Sequence, residues 1–140
     1  MTAYLALFAW SFLAATVLPL ASEPMLVALV RTRDEMMVPV LVATAGNYLG
    51  ACTTYFIARA AARRVAVVAE AVKGHGRAVA LIERFGQPAL LLSWVPIIGD
   101  ALCIASGWLR QNVLAATGFM AVGKLARYIV VAYAAHAFAG

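Results

Sequence analysis

The chain has 140 residues, of which 65% are hydrophobic and only 12% charged. That balance excludes a soluble globular domain and describes a single-domain integral membrane protein, whose core forms by helices packing in lipid. The net charge of +5 does not indicate nucleic acid, because the basic residues cluster between apolar segments, as positive-inside loops do, and do not line one polar face.

Residues Thr2 to Val30 are almost wholly apolar except for Ser22-Glu23-Pro24. As one helix these 29 residues would span roughly 43 Å, too long for a simple crossing. Pro19 and Pro24 bracket the acid, so the stretch is predicted to be a re-entrant hairpin with its tip at Leu18–Pro24. No cleaved signal peptide is expected, since the N-terminus has no basic stretch and no small-x-small cleavage site. Arg31 to Glu35 reads as a short charged exit loop.

Met36 to Ala58 is the cleanest predicted crossing, with Pro39 tolerated in its first turn. Ala43, Gly46, Asn47, Gly50 and Thr54 share one face. The Gly46/Gly50 pair allows another backbone to approach closely. Asn47, between them, either joins helices or lines a polar site. Arg59 to Arg84 is the hydrophilic middle, with six basic residues against two acidic ones, and is expected in the cytoplasm. Val65, Val68, Ala69 and Val72 recur at helical spacing, as in a surface-lying helix. Lys73 to Arg77 is expected to break that helix, with His75 a solvated loop residue.

Gly86 to Leu109 would pass as a membrane helix but for Pro96, Gly99 and Asp100. A carboxylate at bilayer depth costs on the order of 3 kcal/mol even on the lenient insertion scale. Pro96 removes a backbone donor, and irregular backbone at that depth survives only inside protein or beside water. The cluster is therefore predicted to be the tip of a second re-entrant hairpin, with helical arms Gln87–Val95 and Ala101–Leu109. The competing reading is a kinked full crossing whose aspartate is paired. Asn112 to Phe138 is the last predicted crossing. Lys124 and Arg127 lie near its middle, one turn apart on one face. They should face the interior and find partners, Asp100 first and then Glu23. His136 is expected at the interface and without a role. Cys52 and Cys103 lie in apolar runs without metal spacing and read as small buried residues.

A shift of 77 positions places Pro19 on Pro96, Glu23 on Asp100, Arg33 on Arg110, Gly46 on Gly123 and Asn47 on Lys124 without a gap. The predicted fold is therefore an all-α integral membrane protein of two inverted repeats, about 2–62 and 79–139, each a re-entrant helical hairpin followed by a transmembrane helix. Transporters carry this pattern, with the site at midplane between the repeats. The implied site combines Glu23 and Asp100, as proton- or charge-switching acids, with Asn47, Lys124 and Arg127. Such a set suits the movement of something charged or polar across a bilayer. It does not suit enzyme chemistry, since no Ser-His-Asp order, metal-spaced cluster or phosphate-cradling glycine loop is present. No metal or cofactor is expected.

The chain resembles the DedA superfamily (the VTT, or SNARE-associated Golgi protein, domain), in particular its short YqaA-like branch. The matching words are Gly46-Asn47-x-Leu49-Gly50 with Tyr55 and Arg59, Arg84-Phe85-Gly86, and Trp94-x-Pro96-x-x-Gly99-Asp100-x-Leu102 running to Gly107-x-Leu109-Arg110. Gly123-Lys124-x-x-Arg127-Tyr128 completes the set. The resemblance implies a bacterial inner-membrane protein with two re-entrant hairpins. It also implies a lipid transporter, flippase or scramblase with undecaprenyl phosphate or phospholipid as cargo, driven by protons. Longer relatives carry arginines where Ser93 and Gly99 stand here, so a lipid phosphate would fall to Lys124 and Arg127. Partners are then membrane lipids, anionic ones first; a homo-oligomer is left open. The alternatives are a proton- or cation-coupled solute transporter and a non-transporting membrane scaffold.

Overall fold

The computed structural model describes residues 1–16, 22–32, 35–62, 76–95 and 98–138. Within them the chain forms α1 (Thr2–Thr16), α2 (Glu23–Thr32), α3 (Met37–Ala61), α4 (Gly76–Phe85), a 3₁₀ arm (Gln87–Trp94), α5 (Ile98–Trp108) and α6 (Val113–Ala137). Of these, α3 and α6 are long and apolar enough to cross a membrane, at 25 residues each. The two helices expected to cross are present within a few residues of their predicted ends. Asn112 starts α6 as its N-cap, accepting from Ala115 N at 3.1 Å, which satisfies one of the otherwise orphan first-turn donors.

Several local expectations change. The arm Gln87–Val95 is a 3₁₀ helix and not an α-helix. Pro88 in its first turn cannot donate a backbone hydrogen bond, Gly86 enters at φ 69° and Val95 leaves in extended geometry, as a residue before proline prefers. Arg31 and Thr32 belong to α2 and not to a loop, while Arg33 and Asp34 lie outside the described residues. A helix, α4, begins at Gly76 within the stretch 73–77 that was expected to break a helix; residues 73–75 lie outside the described residues. This helix buries Ala78 and Ile82 and exposes Arg77, Glu83 and Arg84. The stretch Val65–Val72 and His75 lie outside the described residues, as do Pro19 and Pro96.

Two apolar clusters fix the relation of the long helices. One joins Ala51 and Tyr55 of α3 to Ala116 and Met120 of α6, with Leu90, Leu102 and Cys103. The other joins Val40 and Ala43 of α3 to Tyr128 and Ala132 of α6, with Leu7, Leu26 and Val30. Late α3 meets early α6 and early α3 meets late α6, so the two helices run antiparallel. Asn47 and Lys124 lie between the clusters, at the level where the long helices cross.

The shorter elements pack on this pair reciprocally. α1 lies on α3 and the 3₁₀ arm on α6, whereas α2 packs mainly on α6 and α5 on α3. Small residues make the first two contacts possible. A Cβ on Gly50 would fall 2.5 Å from the Phe12 carbonyl oxygen and 2.7 Å from Ala15 Cβ, and one on Gly46 would overlap the Phe8 carbonyl. On α6, a Cβ on Gly123 would overlap the Ser93 hydroxyl and stand 3.1 Å from the carbonyls of Leu90 and Leu91. Such close backbone approach is how helices associate where lipid supplies no hydrophobic drive between them.

The end of α5 is locked by a turn of its own. Gln111 N donates to Ser106 O at 3.1 Å and Arg110 N to Gly107 O at 3.0 Å, the double bond pattern of a Schellman stop. Arg110 occupies the left-handed position at φ 55°, where glycine is usual. The Gln111 carbonyl then accepts from Tyr55 Oη at 2.6 Å and from Arg59 at 2.8 Å, tying the α5–α6 link to the end of α3.

Candidate functional site

The polar level between the two apolar clusters holds the charged residues singled out in the sequence. Lys124 is fully buried, and its Nζ donates to Asp100 Oδ1 at 2.6 Å. Arg127, one turn on, is 7% exposed and its guanidinium pairs with Glu23 Oε1. Both acids named as candidate partners are used, and each takes one cation. The acids reach α6 from different helices. Glu23 is the first residue of α2 and Asp100 lies in the first turn of α5, where free N–H groups and the helix dipole favour a negative charge. Both acids keep some exposure, 21% for the Glu23 side chain and 28% for that of Asp100.

The Glu23–Arg127 pair is only half closed. Glu23 Oε2 and Arg127 Nε are buried without a hydrogen-bond partner among the described residues. Asn47 has a divided role: Nδ2 donates to the Ser11 carbonyl at 3.2 Å, which joins α3 to α1, while its Oδ1 has no partner among the described residues. Of the predicted tip residues, Gly99 is buried in α5. A Cβ there would overlap the Ser93 carbonyl. Ser93 is itself buried. The two places where the resemblance implies arginines are thus packing positions here, and the cationic side chains of this level come from α6.

One contact was not anticipated. Ser22 Oγ and Tyr128 Oη are 2.5 Å apart, and neither residue is exposed. Ser22 adjoins Glu23 and Tyr128 adjoins Arg127, so two contacts run side by side between α2 and α6. The sequence shows the two adjacencies, and the pairing of Glu23 with Arg127 that brings the hydroxyls together is set by the fold. Cys103 is buried as expected, but Cys52 is half-exposed, because one step beyond Ala51 turns it by about 100° away from the core face. His136 is exposed near the end of α6. Among the described residues no three His, Cys, Asp or Glu side chains come together as a metal site.

Chemically, two ion pairs, each with its cation buried and its acid partly exposed, form a charge-balanced set. Neutralising either acid leaves a cation that is expensive to bury alone and able to hold a phosphate or another anion.

The chain is 40% identical over 129 residues to the inner membrane protein YqaA of Escherichia coli strain K12, an alignment covering 91% of this chain and 87% of that one. The same figures hold for YqaA of Shigella flexneri. A protein of Haemophilus influenzae strain Rd is 36% identical over 135 residues, covering 91% of this chain and 83% of its own. No family model matches, and no solved structure matches. The all-helical fold, the two long apolar helices and this similarity agree: the chain belongs to the family of the inner membrane protein YqaA, consistent with its DedA-like motifs, and is a helical protein of the inner membrane.

Proposed function

We propose that this protein carries an anionic lipid across the inner membrane, as a flippase or scramblase of the DedA type, with undecaprenyl phosphate or a phospholipid as cargo and protons as the coupled ion. The observation that carries this reading is that both buried cations stand on α6, while each is held by an acid from a separate helix N-terminus. A proton on Glu23 or Asp100 frees Arg127 or Lys124 for the lipid phosphate; loss of the proton takes the cation back and expels the headgroup.

The topology we infer is two inverted repeats, each a re-entrant hairpin and one crossing, with the basic segment 59–84 in the cytoplasm. The antiparallel run of α3 and α6 and the reciprocal packing of the shorter elements support it. Broken elements that meet at mid-height between two repeats are where transporter sites form.

The test is translocation of a labelled anionic lipid in proteoliposomes. Glu23→Gln and Asp100→Asn should fold and insert, with a melting temperature lowered by the cation left unpaired, but move no lipid. Arg127→Ala should weaken binding of an anionic lipid more than that of a zwitterionic one. A static scaffold is the second reading, favoured by the fact that each acid is already paired. It gains if the neutral variants fail to accumulate in the membrane. Wild-type flux in folded neutral variants at every pH removes the carboxylate switch.

A further inference from the structure

The two acid-bearing helix starts are not held alike. At α2 the charge contact Glu23–Arg127 is doubled by the hydroxyl contact Ser22–Tyr128. Ser22 stands just before α2, and its carbonyl accepts from Leu26 N at 3.3 Å, so its side chain is spent on α6 and not on capping its own helix. In the second half, 77 positions on, Gly99 replaces Ser22, and on α3 the positions matching Arg127 and Tyr128 are Gly50 and Ala51. Neither offers a polar side chain to α5. The start of α5 therefore reaches α6 through Asp100–Lys124, with no hydroxyl bond beside it among the described residues.

We propose that Tyr128 is a positioning residue: through Ser22 it anchors the first acid-bearing helix start to α6 whatever the charge on Glu23, so that the second helix start, at Asp100, is the one that releases. This deepens the carrier reading and rests on it for the meaning of the release. A hydroxyl pair is indifferent to a proton arriving on the neighbouring carboxylate, whereas an ion pair is not. Losing the Glu23 charge leaves α2 tied by Ser22–Tyr128; losing the Asp100 charge leaves the first turn of α5 without its tie to α6.

The test is amide hydrogen exchange of the full-length protein in lipid nanodiscs, read over residues 23–28 and 98–104. Local opening raises exchange in proportion to the lost protection. Asp100→Asn should speed exchange over 98–104 by about ten-fold or more, the response to losing one charge-assisted contact. Glu23→Gln alone should leave 23–28 within about three-fold of the wild type, while Glu23→Gln combined with Tyr128→Phe should release it by about ten-fold or more. Ser22→Ala should reproduce Tyr128→Phe from the other end of the bond, and Ser22→Thr, which keeps the hydroxyl, should restore protection. A purely space-filling Tyr128 would give no such rescue, because its ring is retained in the phenylalanine variant. Equal release of both helix starts by their single neutral variants overturns the proposal, as does continued protection of 23–28 in the combined variant. If Tyr128→Phe fails to accumulate, the Ser22 pair decides the question. Exchange is read without lipid flux: a protein that keeps this asymmetry but moves no lipid refutes the carrier and leaves the anchor standing. Flux with equal release does the reverse.

Discussion

Lys124 has no exposed side-chain surface, and among the described residues its charged partner is Asp100, 2.6 Å away on another helix. A fully desolvated ammonium is tolerable only while that contact holds, so the α5–α6 relation and the charge state of Asp100 are one property. Lys124→Met should therefore be better tolerated when Asp100 is also replaced by leucine than when it is left alone. Breaking one side of a buried pair typically costs about 3–5 kcal/mol, and the lower end applies here because Asp100 is partly exposed. Thermal melts of the two single variants and the double variant in detergent check this; additive losses would remove the coupling.

Arg110 carries a left-handed backbone that a glycine adopts freely. Arg110→Gly should raise stability by about 1 kcal/mol and Arg110→Val should lower it by at least as much. The measurement is the shift in melting temperature. A loss on Arg110→Gly would show that the side chain, and not the turn, is what the position needs.

Gly50 is where α1 rests on α3. Gly50→Val would force its Cβ against the Phe12 carbonyl and Ala15, at a cost of about 1–3 kcal/mol or more. Protease should then cleave within residues 1–16 of the membrane-embedded variant faster than in the wild type. Unchanged cleavage would mean that α1 is not held by this contact.

Topology is open to a direct check. Single cysteines at Thr32 and His75, in a chain with Cys52 and Cys103 replaced, should react with an impermeant reagent from opposite sides of the membrane, because α3 lies between them. Labelling from one side contradicts both the crossing by α3 and the inverted arrangement.

The long helices were legible because length and composition alone force them: α3 and α6 need only apolar runs bounded by polar ends. The charged residues were legible because lipid makes each one costly, so Lys124, Arg127, Glu23 and Asp100 had to converge. Which acid meets which cation was not, since Glu23 and Asp100 are of one type and the choice is made by helix packing. The 3₁₀ form of 87–94 was hidden for a related reason. Pro88 weakens an α-helix locally, but the eight-residue 3₁₀ run lies with the carbonyls of Leu90 and Leu91 against Gly123, a tertiary contact that local sequence does not reveal. Ser22–Tyr128 escaped notice because hydroxyl residues are common and neutral, and only the fold reveals that both lie beside the same charge pair.

The helix type of residues 87–94 also sets a distance. Eight residues in a 3₁₀ helix rise about 16 Å, as far as the eleven residues of α5 rise in an α-helix, at roughly 16 Å. Two legs of unequal residue count thus have equal reach. Wound as an α-helix, the same eight residues would be about 4 Å shorter. The carboxylate of Asp100 would then be drawn away from the height of the ammonium it neutralises. The position of this acid along α6 is thus a matter of how tightly a neighbouring segment is coiled, and a residue inserted into or removed from that segment moves a charge relative to its partner.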